Sequence, residues 1–235
     1  MSFDPTTLPD VSGLTVGILG GTGPQGRGLA YRFARAGQAV RIGSRSAERG
    51  AQAAAEIAKL PGVVSGLVNG NHVTGGDNPY ACDADVVIVA VPWEGHSELI
   101  ETLAPHLGGK IVVDCANPLG FDKQGPYVLP VPEGSAAEQA AALLPESRVC
   151  AAFHHVSAVL LIDPQVTEVE LDVLVLGDDR EAANVVQALA GRIAGMRGLH
   201  AGRLRNAKQV EGLTANLIAM NKRYKAHAGI RITDV

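Results

Sequence analysis

Leu14 to Ala36, LTVGILGGTGPQGRGLAYRFARA, constrains this chain more tightly than any other stretch. Leu14 to Leu19 is mostly apolar, β-prone and too short to span a membrane, and it runs straight into Gly20-Gly21-Thr22-Gly23-Pro24-Gln25-Gly26. Beyond the glycines the apolar residues recur at helical spacing, Leu29 and Ala30 and then Phe33 and Ala34, with Arg27, Arg32 and Arg35 expected on the other side. Pro24 suits a first helical position, where its missing N–H would be unbonded anyway, and Gly37 suits the residue just past the end. The stretch predicts a strand, a glycine turn and a helix.

In that setting Gly21-x-Gly23-x-x-Gly26 reads as a dinucleotide fingerprint, because small residues let the backbone approach a pyrophosphate lying at the positive end of a helix. The alternative is a glycine turn that serves only close helix packing. Gln38 to Gly43 predicts a second strand, followed by Ser44-Arg45-Ser46 and an alanine-rich helix that Pro61-Gly62 stops. This position discriminates between nucleotides. A carboxylate near it holds the ribose 2′-hydroxyl of NAD, whereas a 2′-phosphate needs donors and positive charge. Ser44, Arg45 and Arg49 are of the second kind, and a cation in a first helical turn opposes the macrodipole unless an anion is nearby. The trio is read as a 2′-phosphate clamp, hence NADP; otherwise it is three solvated residues at a loop and a helix end.

Val63 to Thr74, interrupted by Gly66, Gly70 and Asn71, predicts one strand around Asn71 to Thr74. Asp85 to Val91 and Lys110 to Cys115 read as parallel strands covered on both faces, ended by Pro92 and by Asn117-Pro118. Ligands in such sheets bind at the carboxyl ends of strands, which puts Pro92, Trp93, Asn117 and Pro118 at the rim of a crevice. Trp93, the only tryptophan, either packs on a ring system there or caps the following helix. Gly120 to Gly134 is expected as a surface loop, Ser135 as the cap of a helix reaching Leu144, and Arg148 to Phe153 as a last strand.

This alternation predicts an α/β, doubly wound, mainly parallel sheet over residues 14–153. Residues 154–235 are expected as a small C-terminal α/β domain over the crevice. That stretch would hold a loop at His154 to Ala158, a strand at Leu171 to Leu176 and helices near Asp179 to Ile193 and Leu204 to His227. Residues 1–13 are expected as a flexible arm.

The net charge of −4 gives no global attraction to nucleic acid or to an anionic membrane, and the basic residues lack interleaved aromatics. Cys82, Cys115 and Cys150 lie far apart, with no CxxC pair and no histidine at metal-ligand spacing, so no disulfide framework or metal site is expected. A reducing cytoplasm is the simplest setting. Met1 to Gly13 has neither the basic start nor the apolar core of a signal peptide.

His154-His155-Val156-Ser157 leaves the last strand of the sheet. Adjacent histidines point in different directions and no GxSxG turn presents a nucleophile, so a hydrogen bond from His154 to a ring carbonyl is the favoured role. The alternative is a histidine satisfied by backbone at a domain joint. Arg203, Arg205, Lys208, Lys222, Arg223 and Lys225 face a single acid, Glu211: a solvated helix face, or a site for an acidic substrate tail. No Tyr-x-x-x-Lys pair or paired carboxylates are found, which favours a reaction needing little proton management. The apolar face of the last helix would suit a homodimer.

ILGGTGPQG, IGSR with Arg49 four residues on, VPWE at Val91 to Glu94, FHHVSA at Phe153 to Ala158 and HAGRLRNAKQVEGLT at His200 to Thr214 together resemble the NADPH-dependent reductases of the deazaflavin coenzyme F420. The resemblance covers essentially everything after the arm. It implies a Rossmann-like NADP-binding domain, a small domain helping to hold the deazaflavin, and reversible hydride transfer between these two small-molecule carriers. Carried over by position, Gly21, Thr22, Gly23, Pro24, Gln25 and Gly26 would meet the pyrophosphate and Ser44, Arg45 and Arg49 the 2′-phosphate. Val91, Pro92, Trp93, Asn117, Pro118 and Ala158 would line the nicotinamide half, while His154, Val156 and Ser157 would face the deazaflavin. VVDCANPL at Val112 to Leu119 is also similar to NADP-dependent ferric and ketone reductases. A reductase of another acceptor (flavin, imine or ferric iron) and a non-catalytic NADP(H) sensor are the rival expectations.

Overall fold

Eight strands make one sheet in the computed structural model, which describes residues 4–63 and 72–235. Its centre is β1 (Thr15–Leu19), β4 (Val86–Val89) and β5 (Ile111–Asp114), all parallel. Their side chains alternate between two apolar layers. Val16, Ile18, Ile88 and Val113 face α1 (Pro24–Arg35), α2 (Ala47–Ile57) and α7 (Arg180–Gly191). Leu19, Val87, Val89 and Val112 face α3 (Asn78–Cys82), α4 (His96–Leu107), α5 (Ala136–Leu143) and α8 (Ala207–Tyr224). Helices on both faces are why these strands are continuously apolar: all four residues of β4 are 0% exposed.

From β1 the sheet runs outward through β2 (Ala39–Ser44) to β3 (Val73–Asp77), and from β5 through β8 (Arg148–Ala151) and β9 (Leu171–Gly177) to β10 (Met196–Gly202). Every neighbouring pair is parallel except β8 and β9, which meet antiparallel at Cys150 with Gly177 and Ala151 with Leu176. β9, α7 and β10 form a further parallel strand–helix–strand unit. Residues 154–235, expected as a small domain over the crevice, thus add their two strands to the edge of the same sheet.

Several local expectations are corrected. β10, MRGLHAG, was not anticipated, because its glycines and histidine break the alternation that marks a strand. The Gly120 to Gly134 loop contains a hairpin of β6 (Leu119–Asp122) and β7 (Gly125–Val128). Asp122 makes its turn by accepting from the N–H groups of Gln124 (2.7 Å) and Gly125 (3.2 Å). His154 to Ala158 leads into a short helix, α6 (Ala158–Ile162). The last helix starts at Ala207, after a 3₁₀ turn at Leu204–Asn206, and stops at Tyr224 where Lys225 takes φ +51°. Of the strand expected at Asn71 to Thr74, Asn71 lies outside the described residues. β3 continues to Asp77 through Gly75 and Gly76: the missing side chain of Gly75 admits α2, since a Cβ there would lie 2.0 Å from the Gly50 carbonyl oxygen, and that of Gly76 makes room for Tyr80.

Arg32, expected with Arg27 and Arg35 on the solvent side of α1, is only 4% exposed. Its guanidinium donates to the carbonyls of Leu160, Leu161, Asp163 and Val166, closing the carboxyl end of α6. The arm is held at its far end: Val11 is 3% exposed, and the Gln38 amide donates to the carbonyls of Val11 and Leu14. Among the described residues no helix is long and apolar enough to cross a membrane.

Candidate active site

The chain leaves β1 for one face of the sheet and β4 for the other, so a crevice opens between their carboxyl ends. Gly20 turns there with φ +73°, and a Cβ on it would lie 2.5 Å from the Ala90 carbonyl oxygen. A Cβ on Gly26 would lie 2.5 Å from the Gly20 carbonyl oxygen, and one on Gly21 would lie 2.7 Å from Ile42. Three glycines therefore serve the packing of strand, turn and helix, while Thr22 and Pro24 form an exposed lip. The first turn of α1 begins at Gly23, which has no side chain to cap it, and holds no acidic residue. Its amides are thus open to an anion. Gln25 reaches away from that lip, donating its side-chain N–H to the Phe153 carbonyl at 3.2 Å.

At the far end of the lip, Ser44 closes β2 and is buried, with Arg45 and Arg49 exposed beside it. Neither arginine has an ion-pair partner among the described residues. Glu48 lies in the same helical turn but accepts from the Ser46 hydroxyl at 2.7 Å, and Ser46 in turn caps α2 by accepting from the Arg49 N–H at 3.3 Å. Two unpaired guanidinium groups next to a serine fit a dianion.

On the other side of the crevice stand Pro92 and Trp93 after β4, and Asn117 and Pro118 after β5. Trp93 is half-buried and lies against His96, the first residue of α4, with ring centroids 5.3 Å apart and planes at 34°. The Asn117 side chain donates to the His154 carbonyl at 3.0 Å, and the Thr214 hydroxyl of α8 donates to the same oxygen at 3.2 Å. The structure thus uses the backbone of His154 for positioning. Its ring is 3% exposed, with no partner for either nitrogen among the described residues, and burial pulls its pKa down to about 4. Asn117 Oδ1 is likewise buried without a partner, so unsatisfied polar capacity gathers where the β5 and β8 loops meet.

His155 points elsewhere, its Nε2 accepting from the Leu174 N–H at 3.4 Å, and burial pulls it down to about 4 as well. Val156 is buried, Ser157 and Ala158 half-buried, and the Ser157 hydroxyl lies 3.3 Å from His227 Nδ1. Phe153, which starts this segment, is fully buried at φ +64°, a left-handed conformation that costs a bulky residue on the order of 1–3 kcal/mol. Packing edge-on against Phe33 of α1, with centroids 6.1 Å apart, keeps it there.

Sequence reasoning missed a buried polar group behind this wall. His96 and Asp114 are both 0% exposed and joined at 2.5 Å, His96 Nε2 to Asp114 Oδ2. His96 Nδ1 lies 3.1 Å from Gln139 Oε1, so each ring nitrogen faces an oxygen acceptor and the surroundings favour the imidazolium form. Burial works against that charge, but the hydrogen bond and charge of Asp114, with Gln139 and Glu211, outweigh it and raise the His96 pKa. Glu211 is 2% exposed and accepts from the N–H groups of Ala136 and Ala137 at the start of α5. Burial raises its pKa to about 7 against the pull of those two bonds. The signals were present: Asp114 is a carboxylate inside an apolar strand, and Glu211 is the lone acid of a basic helix. The cations expected around that helix, Arg203 to Lys225, are all exposed, on the solvated side.

An open helix N-terminus at the switch point of a mainly parallel sheet, with a cationic pocket after the second strand, defines a Rossmann-type NADP-binding protein. The family model described as NADP oxidoreductase, coenzyme F420-dependent, matches residues 15–118. The chain is 39% identical over 229 residues to the F420-dependent NADP reductase of Methanothermobacter thermautotrophicus, covering 94% of this chain and 96% of that one. It is 33% identical over 204 residues to the metalloreductase STEAP3 of Rattus norvegicus, covering 86% of this chain and 37% of that longer protein. A crystal structure from Arthrobacter sp. FB24, assigned provisionally as an F420-dependent NADP-reductase, superposes with a TM-score of 0.76 at 27% identity, covering 94% of this chain and 100% of that one. The chain belongs to the F420-dependent NADP oxidoreductase family.

Proposed function

We propose that the chain transfers hydride reversibly between NADP(H) and the deazaflavin coenzyme F420. The observation that carries the reading is the row of groups along the carboxyl ends of adjacent strands: Arg45 and Arg49 after β2, the uncapped start of α1 after β1, and the loops at Trp93, Asn117 and His154 after β4, β5 and β8. Thr22 to Gln25 hold the pyrophosphate, Thr22 and Gln25 by their backbone N–H groups and Gly23 and Pro24 by close contact, and Ser44, Arg45 and Arg49 hold the 2′-phosphate. Val91, Pro92, Trp93, Asn117, Pro118 and Ala158 bound the nicotinamide, and the segment from His154 through Val156 to Ser157 faces the deazaflavin, with Ser157 its most accessible side chain of the three. The two carriers supply the redox chemistry when bound. The protein supplies placement, which in well-oriented reactions is worth on the order of 7–11 kcal/mol of the barrier. Full-length likeness to an F420-dependent NADP reductase supports this acceptor.

The test is bleaching of the deazaflavin's visible absorption when purified protein is mixed with NADPH and oxidised coenzyme F420. Rapid bleaching with NADPH, and much slower bleaching with NADH, is the expected result. Tight NADPH binding without bleaching would overturn it. The likeness to STEAP3 favours a second reading, NADPH-dependent reduction of another acceptor such as ferric iron, which the same assay with that acceptor distinguishes.

A further inference from the structure

One carboxylate ties together the two loops that bound the nicotinamide end of the crevice. Asp114 is the last residue of β5: its Oδ2 takes the His96 ring, and its Oδ1 accepts from the Ala116 N–H at 2.9 Å, just before Asn117. His96 lies beyond the end of β4, and its ring is the surface on which Trp93 rests. His96 is 0% exposed, whereas the Trp93 indole in contact with it is half-exposed. Gln139 holds the other ring nitrogen, and its amide is oriented in turn by donating to Glu133 Oε2 at 3.2 Å. The imidazole plane cannot rotate without breaking a bond at one nitrogen or the other.

We propose that His96, locked between Asp114 and Gln139, is a positioning residue that sets the Trp93 indole against the nicotinamide end of the bound nucleotide. It acts through Trp93 and touches no reacting atom. The inference rests on the part of the proposed function that puts the nicotinamide beside Val91 to Trp93, and not on the identity of the acceptor. A buried ion pair is weak ground for stability in itself, because desolvation offsets the attraction. What this pair does well is hold one orientation of a ring.

The single tryptophan gives a direct readout. In His96→Gln the Trp93 emission should rise, since contact with an imidazolium quenches an indole, and energy transfer from Trp93 to bound NADPH should fall. The Kd for NADPH should rise about tenfold, within the range that coupled contacting residues show. A purely structural role would predict the same loss whatever occupies position 93. The deciding measurement is therefore a double-mutant cycle: in a Trp93→Leu background, His96→Gln should have almost no further effect on NADPH affinity. Equal effects of His96→Gln in both backgrounds would overturn the proposal. Should His96→Gln fail to fold, Trp93→Leu alone decides, because unchanged NADPH affinity there leaves nothing for His96 to act through. If the wild-type protein bound no NADPH, the proposed function would fall, whereas unchanged Trp93 emission in His96→Gln would refute the contact separately.

Discussion

Replacing Arg32 by leucine should destabilise the protein by about 4 kcal/mol, although Arg32 looks from its spacing like a surface residue. In the fold its Nε donates to Leu161 O at 2.7 Å, its Nη1 to Val166 O at 2.7 Å, and its Nη2 to Leu160 O at 2.5 Å and Asp163 O at 3.0 Å. Hydrogen bonds to a charged group contribute roughly 1.5–3 kcal/mol each, so simple addition would give about 6–12 kcal/mol. Two effects reduce that sum. The guanidinium's own desolvation opposes its binding, and half-buried carbonyls such as those of Leu160 and Asp163 regain water once it is gone. A neutral acceptor left buried without a donor costs about 1–3 kcal/mol, and with part of the four carbonyls rehydrated the net loss comes to about 4 kcal/mol.

For a chain of this size each kcal/mol moves Tm by about 2–4 °C, so Arg32→Leu should melt about 8–16 °C below wild type. Arg27→Leu is the matched control on the same helix. Arg27 pairs with Glu56 at 2.8 Å, but the two side chains are 32% and 44% exposed, and such a pair is worth about 0–1 kcal/mol. Urea unfolding of both variants gives the comparison, and native-state proteolysis between Ala158 and Val166 reports whether the loss is local to α6. An Arg32→Leu protein within about 1 kcal/mol of Arg27→Leu would refute the reasoning.

Arg45→Ala should raise the KM for NADPH about tenfold and leave that for NADH unchanged, the loss of one charge-assisted hydrogen bond; unaltered selectivity in steady-state kinetics would remove it from the clamp. Gly26→Ala should cost about 1–3 kcal/mol in urea unfolding and abolish NADPH binding by calorimetry, because its Cβ meets the Gly20 backbone oxygen at 2.5 Å, where nothing flexible can yield. The Glu211 carboxyl is raised from 4.5 to about 7, so the unfolded chain gives up that proton first, and stability falls by up to about 3 kcal/mol as pH rises through this window. Glu211→Gln should lack that fall in unfolding curves measured from pH 5 to pH 8, and an unchanged slope would show that the carboxyl titrates normally.

The first half of the sheet was legible because its signals are local. β1, the glycine turn and α1 each satisfy their own rule within a few residues, and the cap at Ser135 follows from a side chain next to the helix it starts. What escaped was set by distant residues. Arg32 has the spacing of a surface position, and only α6, 128 residues further along, makes it interior. β10 is a strand because β9 offers it an edge, not because MRGLHAG alternates. Asp114 and Glu211 each stand out in the sequence as an acid among apolar or basic residues, but that His96 joins them is set by the packing of α4 against β5 and required the structure. The clamp residues were visible as types, but the pairing of Glu48 with Ser46, which leaves the two arginines unpaired, required the structure.

The segment leaving β8 is held by its carbonyls, and the holders come from three places in the fold: α1, the loop after β5, and α8. Gln25 of α1 takes Phe153 O, Asn117 after β5 and Thr214 of α8 take His154 O, and Arg32 of α1 takes the carbonyls that end α6. Loops are ordinarily free because their backbone groups bond to water; here side chains replace that water, and the segment is fixed before any ligand arrives. In the proposed transfer the same twelve-residue helix would serve both partners: its uncapped first turn would take the nucleotide phosphates, and its third holds the segment after β8. A misplacement of about 1 Å between reacting groups can cost on the order of a hundredfold in rate. A rigid rod joining the two holders removes that freedom more effectively than two independent loops would, since any tilt of α1 moves the nucleotide and the acceptor wall together.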